Sequence, residues 1–202
     1  MRIYGLTGGI GCGKSEVARR LTERGIPVID ADLVGHQVLE PGGPAVDAVV
    51  AAFGEAILTE GMIDREKLGA VVFSDDAARE KLIAITHPLI TRIIAEQCAD
   101  LVQQGHSSIV IEATLLAEDG KREAWMSGLI LVLSGEDLRL ARLVSSRGMD
   151  PADIGKRMAA QTLPEEKAPL ADWVIENNGT LDELRAATDS VVEAIRGLDA
   201  EG

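Results

Sequence analysis

Short, mostly apolar segments alternate along the chain with longer segments that mix apolar and polar residues. Five of the apolar segments are predicted to be strands, at 2–6, 27–30, 108–112, 129–133 and 173–176. Because they are apolar at nearly every position, they are typical of parallel strands covered on both faces. The pattern predicts an α/β fold with a five-stranded parallel sheet and right-handed helical crossovers.

Helix start signals support the segments between the strands. Thr180 and Glu183 form a capping-box pattern before the last helix. Asp150 precedes a proline, which suits an N-cap followed by the first helical position, and Asp64 can cap a helix over 65–73.

Two regions interrupt the alternation of strands and helices. Residues 41–104, which open with the turn Pro-Gly-Gly-Pro, hold several helices between the second and third strands. Residues 134–170 form a helical excursion between the fourth and fifth strands. At 202 residues, the chain is expected to be a single domain, 1–202, that carries both regions.

The segment Gly-Gly-Ile-Gly-Cys-Gly-Lys-Ser at 8–15 fits the phosphate-binding pattern G-x-x-x-x-G-K-[ST]. It follows the first strand and precedes a helical pattern, the context that the motif requires and that a chance glycine-rich loop would lack. Small residues let backbone N–H groups surround phosphate oxygens at the helix N-terminus. Lys14 is expected to reach the β- and γ-phosphates, and the Ser15 hydroxyl to bind Mg²⁺.

A dinucleotide-binding loop is the alternative for the same segment. Gly9 and Gly11 match part of that fingerprint, and Asp30 or Asp32 lies near the spacing of its ribose-binding acid. Lys14, however, occupies the place of the third glycine. A lysine followed by a hydroxyl suits a nucleoside triphosphate with Mg²⁺ better.

Composition restricts the class of partner and the compartment. Acidic residues outnumber basic ones by 33 to 20, for a formal charge of −13, which argues against nucleic-acid or anionic-membrane binding. Aromatic residues are only 2%, so the core must be aliphatic. Cys12 and Cys98 lack metal-ligand spacing, and neither a secretory segment nor a run of about 20 apolar residues occurs. We therefore expect a cytoplasmic protein.

A pair of acids follows the second strand. If the extended conformation continues past Ile29, Asp30 and Asp32 share one side at the sheet edge where ligands bind. One carboxylate would then accept a proton from an attacking hydroxyl while another orients Mg²⁺ through water. Alternatively, Asp32 caps a helix that begins at Leu33.

Six segments together resemble the dephospho-coenzyme A kinase family. They are spread over nearly the whole chain, at 3–15, 28–36, 61–68, 86–90, 157–161 and 171–179. The resemblance implies a P-loop NTPase fold of three α/β/α layers with a helical acceptor-binding insert and a helical lid. It also implies transfer of phosphate from ATP, with Mg²⁺, to the ribose 3′-hydroxyl of dephospho-CoA, giving CoA and ADP in the last step of CoA biosynthesis. ATP and dephospho-CoA would be the partners of a monomer or weak homo-oligomer.

The resemblance also implies roles for individual residues. The ATP phosphates would be held by Gly11, Cys12, Gly13, Lys14, Ser15 and Glu16, with Asn177 near the nucleotide base. Arg142 on the lid would meet the transferring phosphate. Its alternative is an ion pair with a surface acid, and the alternative for Asn177 is a plain turn.

On the acceptor side, the resemblance implies that Asp32 is the catalytic base. Arg65, His87 and Glu112 would bind the acceptor. The alternatives are a solvated helix charge for Arg65 and a turn residue at a helix start for His87.

The chain departs from the family pattern in three places. Cys12 and Glu16 stand where Ser and Thr are usual. One interpretation of Cys12 is a thiol whose pKa is lowered by the helix N-terminus. The alternative is a small residue that the loop tolerates. Segment 112–118 reads Glu-Ala-Thr-Leu-Leu-Ala-Glu, with no proline or phenylalanine. Ser146 stands where the family has a second lid arginine. Either the neighbouring Arg147 takes over its role, or the role is vacant.

Three other functions compete with this one. Another small-metabolite or nucleotide kinase shares the scaffold, since the fold does not determine the acceptor. A GTPase switch is disfavoured because no Asn-Lys-x-Asp motif is present. A nucleotide-binding module without catalysis is supported mainly by the altered segment 112–118.

Overall fold

The computed structural model describes residues 1–201, together with all their side chains except those of Asp119, Arg147 and Glu201. The chain forms two compact units. We call Met1–Asp30 with Leu101–Gly202 the sheet unit, and Ala31–Asp100 the helical unit.

Seven strands and eight helices lie in the described part of the chain. The strands are β1 (Arg2–Thr7), β2 (Val28–Asp30), β3 (Leu58–Thr59), β4 (Met62–Ile63), β5 (Ser108–Glu112), β6 (Gly128–Leu133) and β7 (Trp173–Glu176). The helices are α1 (Lys14–Glu23), α2 (Ala31–Gln37), α3 (Val46–Phe53), α4 (Arg65–Ser74), α5 (Asp76–Gln103), α6 (Glu136–Arg147), α7 (Pro151–Ala159) and α8 (Leu181–Glu201). Three short 3₁₀ segments, Glu55–Ile57, Glu118–Gly120 and Pro164–Leu170, complete the regular structure.

The sheet unit is built on five parallel strands in the order β2-β5-β1-β6-β7. Successive residues of β5 and β6 point to opposite faces, and both sets are buried, as with Ile109 and Val110. The predicted α/β fold with a five-stranded parallel sheet is therefore confirmed, with strand ends that differ from prediction by at most one residue. The carboxyl ends of the strands share one edge, where ligands bind in such sheets.

An aliphatic core lies between one face of the sheet and helices α1 and α8. Its main members are Leu6, Val17, Leu21, Val110, Ile130, Val132, Ile175, Leu184, Val192 and Ile195. Tyr4 is fully buried in the same cluster, with its ring edge-on to Trp173 at a centroid distance of 5.7 Å. This packing anchors the helix that follows the loop at 8–13.

The helical unit contains α2, α3, α4, most of α5 and the hairpin β3-β4. Its core consists of Val38, Ala45, Val49, Ile57 and Leu68. The sequence pattern did not indicate the hairpin, because each strand has only two residues. Its turn, Glu60-Gly61, has positive φ at both positions.

The three predicted helix caps are confirmed. The Asp64 carboxylate accepts from the backbone N–H groups of Glu66 and Lys67, at 2.9 and 3.1 Å, at the start of α4. Asp150 caps α7 in the same way. Glu183 accepts from the Thr180 N–H at 2.6 Å, and the Thr180 hydroxyl accepts from the Glu183 N–H at 3.3 Å.

Among residues 1–201, no helix combines the length and apolar character that crossing a membrane would need.

Candidate active site

The segment at 8–15, which we call the phosphate loop, connects β1 to α1 as predicted. Gly11 and Gly13 have φ of 79° and 100°, a backbone conformation that side chains disfavour. The Lys14 side chain turns back over the loop, and its Nζ donates to the carbonyl oxygen of Gly8 at 2.9 Å. The loop thus holds its lysine against the segment where β- and γ-phosphates are expected.

A cavity of about 270 Å³ opens beside the phosphate loop. Its lining combines residues of the loop and of α6, namely Gly11, Gly13, Lys14, Ser15, Arg142, Leu143, Ser145 and Ser146. Helix α6 packs directly on the loop, because a Cβ placed at Gly11 would lie 3.0 Å from the Leu143 side chain. Two cations and several backbone amides around one cavity suit a polyphosphate.

The cavity also fits a magnesium ion that is bound together with phosphate. Ser15 is exposed in its lining and offers a hard oxygen ligand. Within the described residues, no group of three or more His, Cys, Asp and Glu side chains is placed to hold a metal by itself. This donor set suits Mg²⁺, which usually keeps waters and shares substrate phosphates with few protein ligands.

Asn177 joins the phosphate loop to α6. Its side chain is buried; Nδ2 donates to the Cys12 carbonyl at 2.8 Å, and Oδ1 accepts from Arg142 at 3.3 Å. A Cβ placed at Gly13 would lie 2.3 Å from that Nδ2, so the contact requires glycine there. The plain-turn hypothesis for Asn177 is therefore wrong, because its amide is buried and hydrogen-bonded. Contact with a nucleotide base stays a prediction.

Arg142 is positioned by neutral oxygens. It donates to the Ser134 hydroxyl at 3.0 Å and to the Asn177 backbone carbonyl at 3.1 Å, besides the Asn177 side chain. Among the described residues, no carboxylate forms a hydrogen bond or an ion pair with Arg142, so the surface ion-pair hypothesis does not describe this residue. Its positive charge is left to face the cavity.

Gln161 is a loop contact that the sequence argument missed. Its Oε1 accepts from the Ile10 backbone N–H in the phosphate loop at 3.1 Å. The only signal was its place at the end of the family-like segment 157–161. A backbone donor of the loop is thus satisfied by a side chain from the excursion at 134–170.

The two departures from the family pattern in and directly after the phosphate loop, Cys12 and Glu16, have different surroundings. Cys12 is 1% exposed, and burial raises the pKa of its thiol. The predicted lowering of this pKa is wrong, because loss of hydration outweighs the nearby Lys14 charge. The Glu16 side chain pairs with Arg19 and with Arg185, whose Nε is 3.2 Å away. Hydrogen bonding by Arg19, then by Arg185, lowers the pKa of Glu16.

Segment 112–118 leaves the carboxyl end of β5 at the same sheet edge. Glu112 is buried there, in register with Asp30 of β2 and Leu6 of β1. Ala117 is fully buried at φ 55°, a strained conformation for a residue with a Cβ. The segment therefore needs support from outside.

A buried lysine supplies that support. Lys167, 3% exposed, donates to the Leu116 carbonyl at 2.9 Å and forms an ion pair with Glu118, which also accepts from Thr162. Burial alone would raise the pKa of Glu118, but hydrogen bonds from Lys167 and Thr162 outweigh it and lower this pKa. No sequence pattern indicates this contact between residues about 50 positions apart.

In the helical unit, α2 begins at Ala31, immediately after β2. The predicted extended conformation across Asp30 and Asp32 is therefore wrong, since Asp32 lies in the first turn of α2. The alternative, capping of a helix that begins at Leu33, is also wrong because the helix starts two residues earlier. Asp32 is exposed in that turn.

Arg65 and His87 lie on different helices of the helical unit. Arg65, the first residue of α4, approaches His36 of α2, with 2.6 Å between Nη2 and Nε2. Arg65 is exposed but contacts a second basic side chain, which the sequence did not indicate. His87 and Pro88 lie inside α5, so the turn hypothesis for His87 is wrong. The predicted substitution by Arg147 concerns a side chain outside the described ones.

The comparisons with known proteins place this geometry in a family. The family model for dephospho-CoA kinase (CoaE) matches residues 2–183. The chain belongs to the dephospho-CoA kinase family. A family member from Anaeromyxobacter dehalogenans is 40% identical over 98% of this chain and 93% of its own length. Another, from Geobacillus kaustophilus, is 42% identical over 90% of each chain.

Two solved structures are similar to this chain over nearly its whole length. The protein TT1252 from Thermus thermophilus superimposes with a TM-score of 0.84 at 32% identity, covering 96% of this chain and 97% of its own. The dephospho-CoA kinase from Campylobacter jejuni superimposes with a TM-score of 0.69 at 27% identity, covering 96% and 98%. The resemblance seen in the sequence is confirmed.

The first prediction concerns the donor of Asn177. In Asn177→Asp, the Cys12 carbonyl loses its partner and a carboxylate faces it, so we expect ATP affinity to fall by on the order of 10-fold or more. Asn178→Asp is the matched control, because Asn178 contributes only an acceptor oxygen, to the Gly135 N–H at 2.9 Å. Calorimetric titration with ATP measures both. Equal ATP affinities in the two variants would contradict the proposal that Asn177 holds the phosphate loop for ATP.

The second prediction concerns the pH dependence of stability. The Glu118 pKa lies below its ordinary value of 4.5, so its contribution to folding is present above about pH 4.5 and lost as pH falls further. Glu118→Gln leaves Lys167 buried without its anion, and we expect a loss of about 3 kcal/mol at pH 7. That difference should shrink at pH 4 in urea unfolding. Glu166→Gln, at an exposed position, is the control; equal losses in both variants would contradict the prediction.

Proposed function

We propose that this chain is an ATP-dependent dephospho-CoA kinase that phosphorylates the ribose 3′-hydroxyl of its acceptor and releases CoA and ADP. The choice of dephospho-CoA as the acceptor is supported by membership of the family. The observation that supports the chemistry is the cavity lined by Lys14 of the phosphate loop and Arg142 of α6. Phosphoryl transfer depends on positioning and charge neutralisation, which this cavity provides.

We assign the nucleotide to the sheet unit. Backbone N–H groups of Gly11, Gly13 and their neighbours would surround the phosphates, with Lys14 on the β- and γ-phosphates. Ser15 would hold Mg²⁺, which neutralises charge on the phosphate oxygens when bound. Arg142, held by Asn177, would stabilise the charge of the phosphoryl group as it moves.

We assign the acceptor side to residues carried over from the family pattern. Asp32, an exposed carboxylate in the first turn of α2, would accept the proton of the 3′-hydroxyl. Arg65, together with His36, offers two basic groups 2.6 Å apart, which suits an anionic acceptor. His87 and Glu112 are proposed as further acceptor-binding residues.

We further propose that the chain works as one P-loop kinase domain. Residues 41–104 would form the acceptor-binding insert, and 134–170 a lid that excludes water. Both cysteines are free thiols, which supports a reducing cytoplasm. The assembly is proposed to be a monomer or weak homo-oligomer, with small-molecule partners only.

The third prediction tests the acceptor. With ATP and Mg²⁺, dephospho-CoA should give ADP and CoA in equal amounts. ADP is measured with a coupled enzyme assay, and CoA is measured by chromatography. Turnover with a nucleoside monophosphate but not with dephospho-CoA would favour another kinase on this scaffold. ATP binding without turnover on either acceptor would favour a module without catalysis.

The fourth prediction tests the base. Asp32→Asn should lower kcat by ~10²–10⁴-fold, the range for loss of a general base, and should leave ATP affinity nearly unchanged. Asp47→Asn, in the first turn of α3, is a control for the same change of charge in the helical unit. An unchanged kcat in Asp32→Asn would remove Asp32 from the mechanism.

A further inference from the structure

Arg139, on α6, is a buried cation whose Nε has no hydrogen-bond partner in the part of the chain that the structure describes. Its exposed fraction is 5%, and Nε is shielded from solvent without a hydrogen bond. Among the described residues, no carboxylate forms an ion pair with it. A buried guanidinium with unsatisfied donors is costly unless an anion completes its surroundings. The expected anionic partner is therefore absent from the described side chains.

The Arg139 guanidinium lies directly on the phosphate loop. A Cβ placed at Gly9 would lie 2.3 Å from Nη1 of Arg139 and 3.4 Å from its Cζ. The same Cβ would lie 2.9 Å from the Pro164 ring. The guanidinium thus lies close to the loop backbone at Gly9, so a planar cation is held at the second residue of the loop.

The position of Lys14 tells which part of a polyphosphate this cation faces. Lys14 Nζ donates to the Gly8 carbonyl, one residue from the Gly9 contact. The lysine of this motif serves the β- and γ-phosphates. Arg139 is therefore at the end of the loop where the terminal phosphate is expected.

Arg142 and Arg139 differ in how far the protein already occupies their donors. They are three residues apart and so project from neighbouring positions of α6. Arg142 donates to Ser134 and twice to Asn177. No such side-chain hydrogen bond of Arg139 occurs within the described residues. Arg139 is the cation with donors left for a ligand.

We propose that Arg139 binds the terminal phosphate of the nucleotide and stabilises its charge during transfer. The resemblance implies lid cations at Arg142 and at the position of Ser146 or Arg147, and none at Arg139, so the proposal adds a cation that the family pattern does not assign. The proposal rests on the proposed function for the presence of a triphosphate. A guanidinium suits this role because its planar donors bind two phosphate oxygens at once.

Nucleotide affinities of an Arg139→Met variant test the proposal. Methionine fills part of the same volume without charge or donors. We expect ATP affinity to fall by on the order of 10- to 100-fold, because a charge-assisted contact to the terminal phosphate is lost. ADP affinity should change by less than about 3-fold, because ADP lacks that phosphate. Calorimetric titration of the purified chain with each nucleotide and Mg²⁺ gives the two values.

Arg196→Met is the matched control for the loss of one positive charge. Arg196 lies near the end of α8, where it pairs with Glu193 and donates to the Arg24 carbonyl at 2.7 Å. It should leave the ratio of ATP to ADP affinity unchanged. If Arg139→Met does not fold, Arg139→Lys provides the same ratio, with a smaller selective loss for ATP.

Equal weakening of ATP and ADP would overturn the proposal and assign Arg139 to packing of α6 on the loop. Unchanged affinities for both would overturn it as well. Neither result depends on the acceptor. Failure of dephospho-CoA turnover in the unmodified chain would therefore reject the proposed function. The proposal on Arg139 would still be judged by the ratio of ATP to ADP affinity.

Discussion

The candidate site depends on one buried amide, that of Asn177. Its NH₂ group holds the Cys12 carbonyl of the phosphate loop, and its oxygens hold the Arg142 guanidinium. Its backbone N–H donates to Leu133 of β6 at 2.7 Å, which ties the same residue to the sheet. Loop, helix α6 and sheet edge are thus positioned together, and Gly13 is required because the amide lies where a Cβ would be.

Two donors of the phosphate loop are bound to protein acceptors. Lys14 Nζ is bound to the Gly8 carbonyl, and the Ile10 N–H is bound to Gln161. On the proposed function, binding of a triphosphate exchanges such contacts for phosphate oxygens, so part of the free energy of binding offsets their loss. Arg139 differs because its Nε has no hydrogen-bond partner among the described residues that a ligand would have to displace. A preorganised donor of this kind stabilises transferred charge without reorganisation.

Local patterns predicted the parts of the fold that local physics controls. The strands followed from continuous apolar segments, and the caps from Asp64, Asp150 and Thr180, each of which bonds within three residues of itself. The phosphate loop followed from glycine spacing between a strand and a helix. These features need no knowledge of distant contacts.

The wrong predictions concern residues whose conformation or pKa is determined by distant or competing interactions. The sequence pattern predicts an extended segment across Asp32, but helix α2 begins at Ala31 and contains it. The thiol of Cys12 was judged by its helix N-terminus, while burial in the core dominates its pKa. The Lys167–Glu118 pair and the Asn177 bridge join segments about 50 and 165 residues apart, so no sequence pattern indicated them.

The most direct measurement of the central claim is ³¹P NMR of the protein with ATP, Mg²⁺ and dephospho-CoA. The account predicts a new phosphomonoester resonance on the ribose 3′-oxygen, growing in step with ADP. ADP with inorganic phosphate and unchanged dephospho-CoA, or a phosphate at any other position of the acceptor, would contradict it.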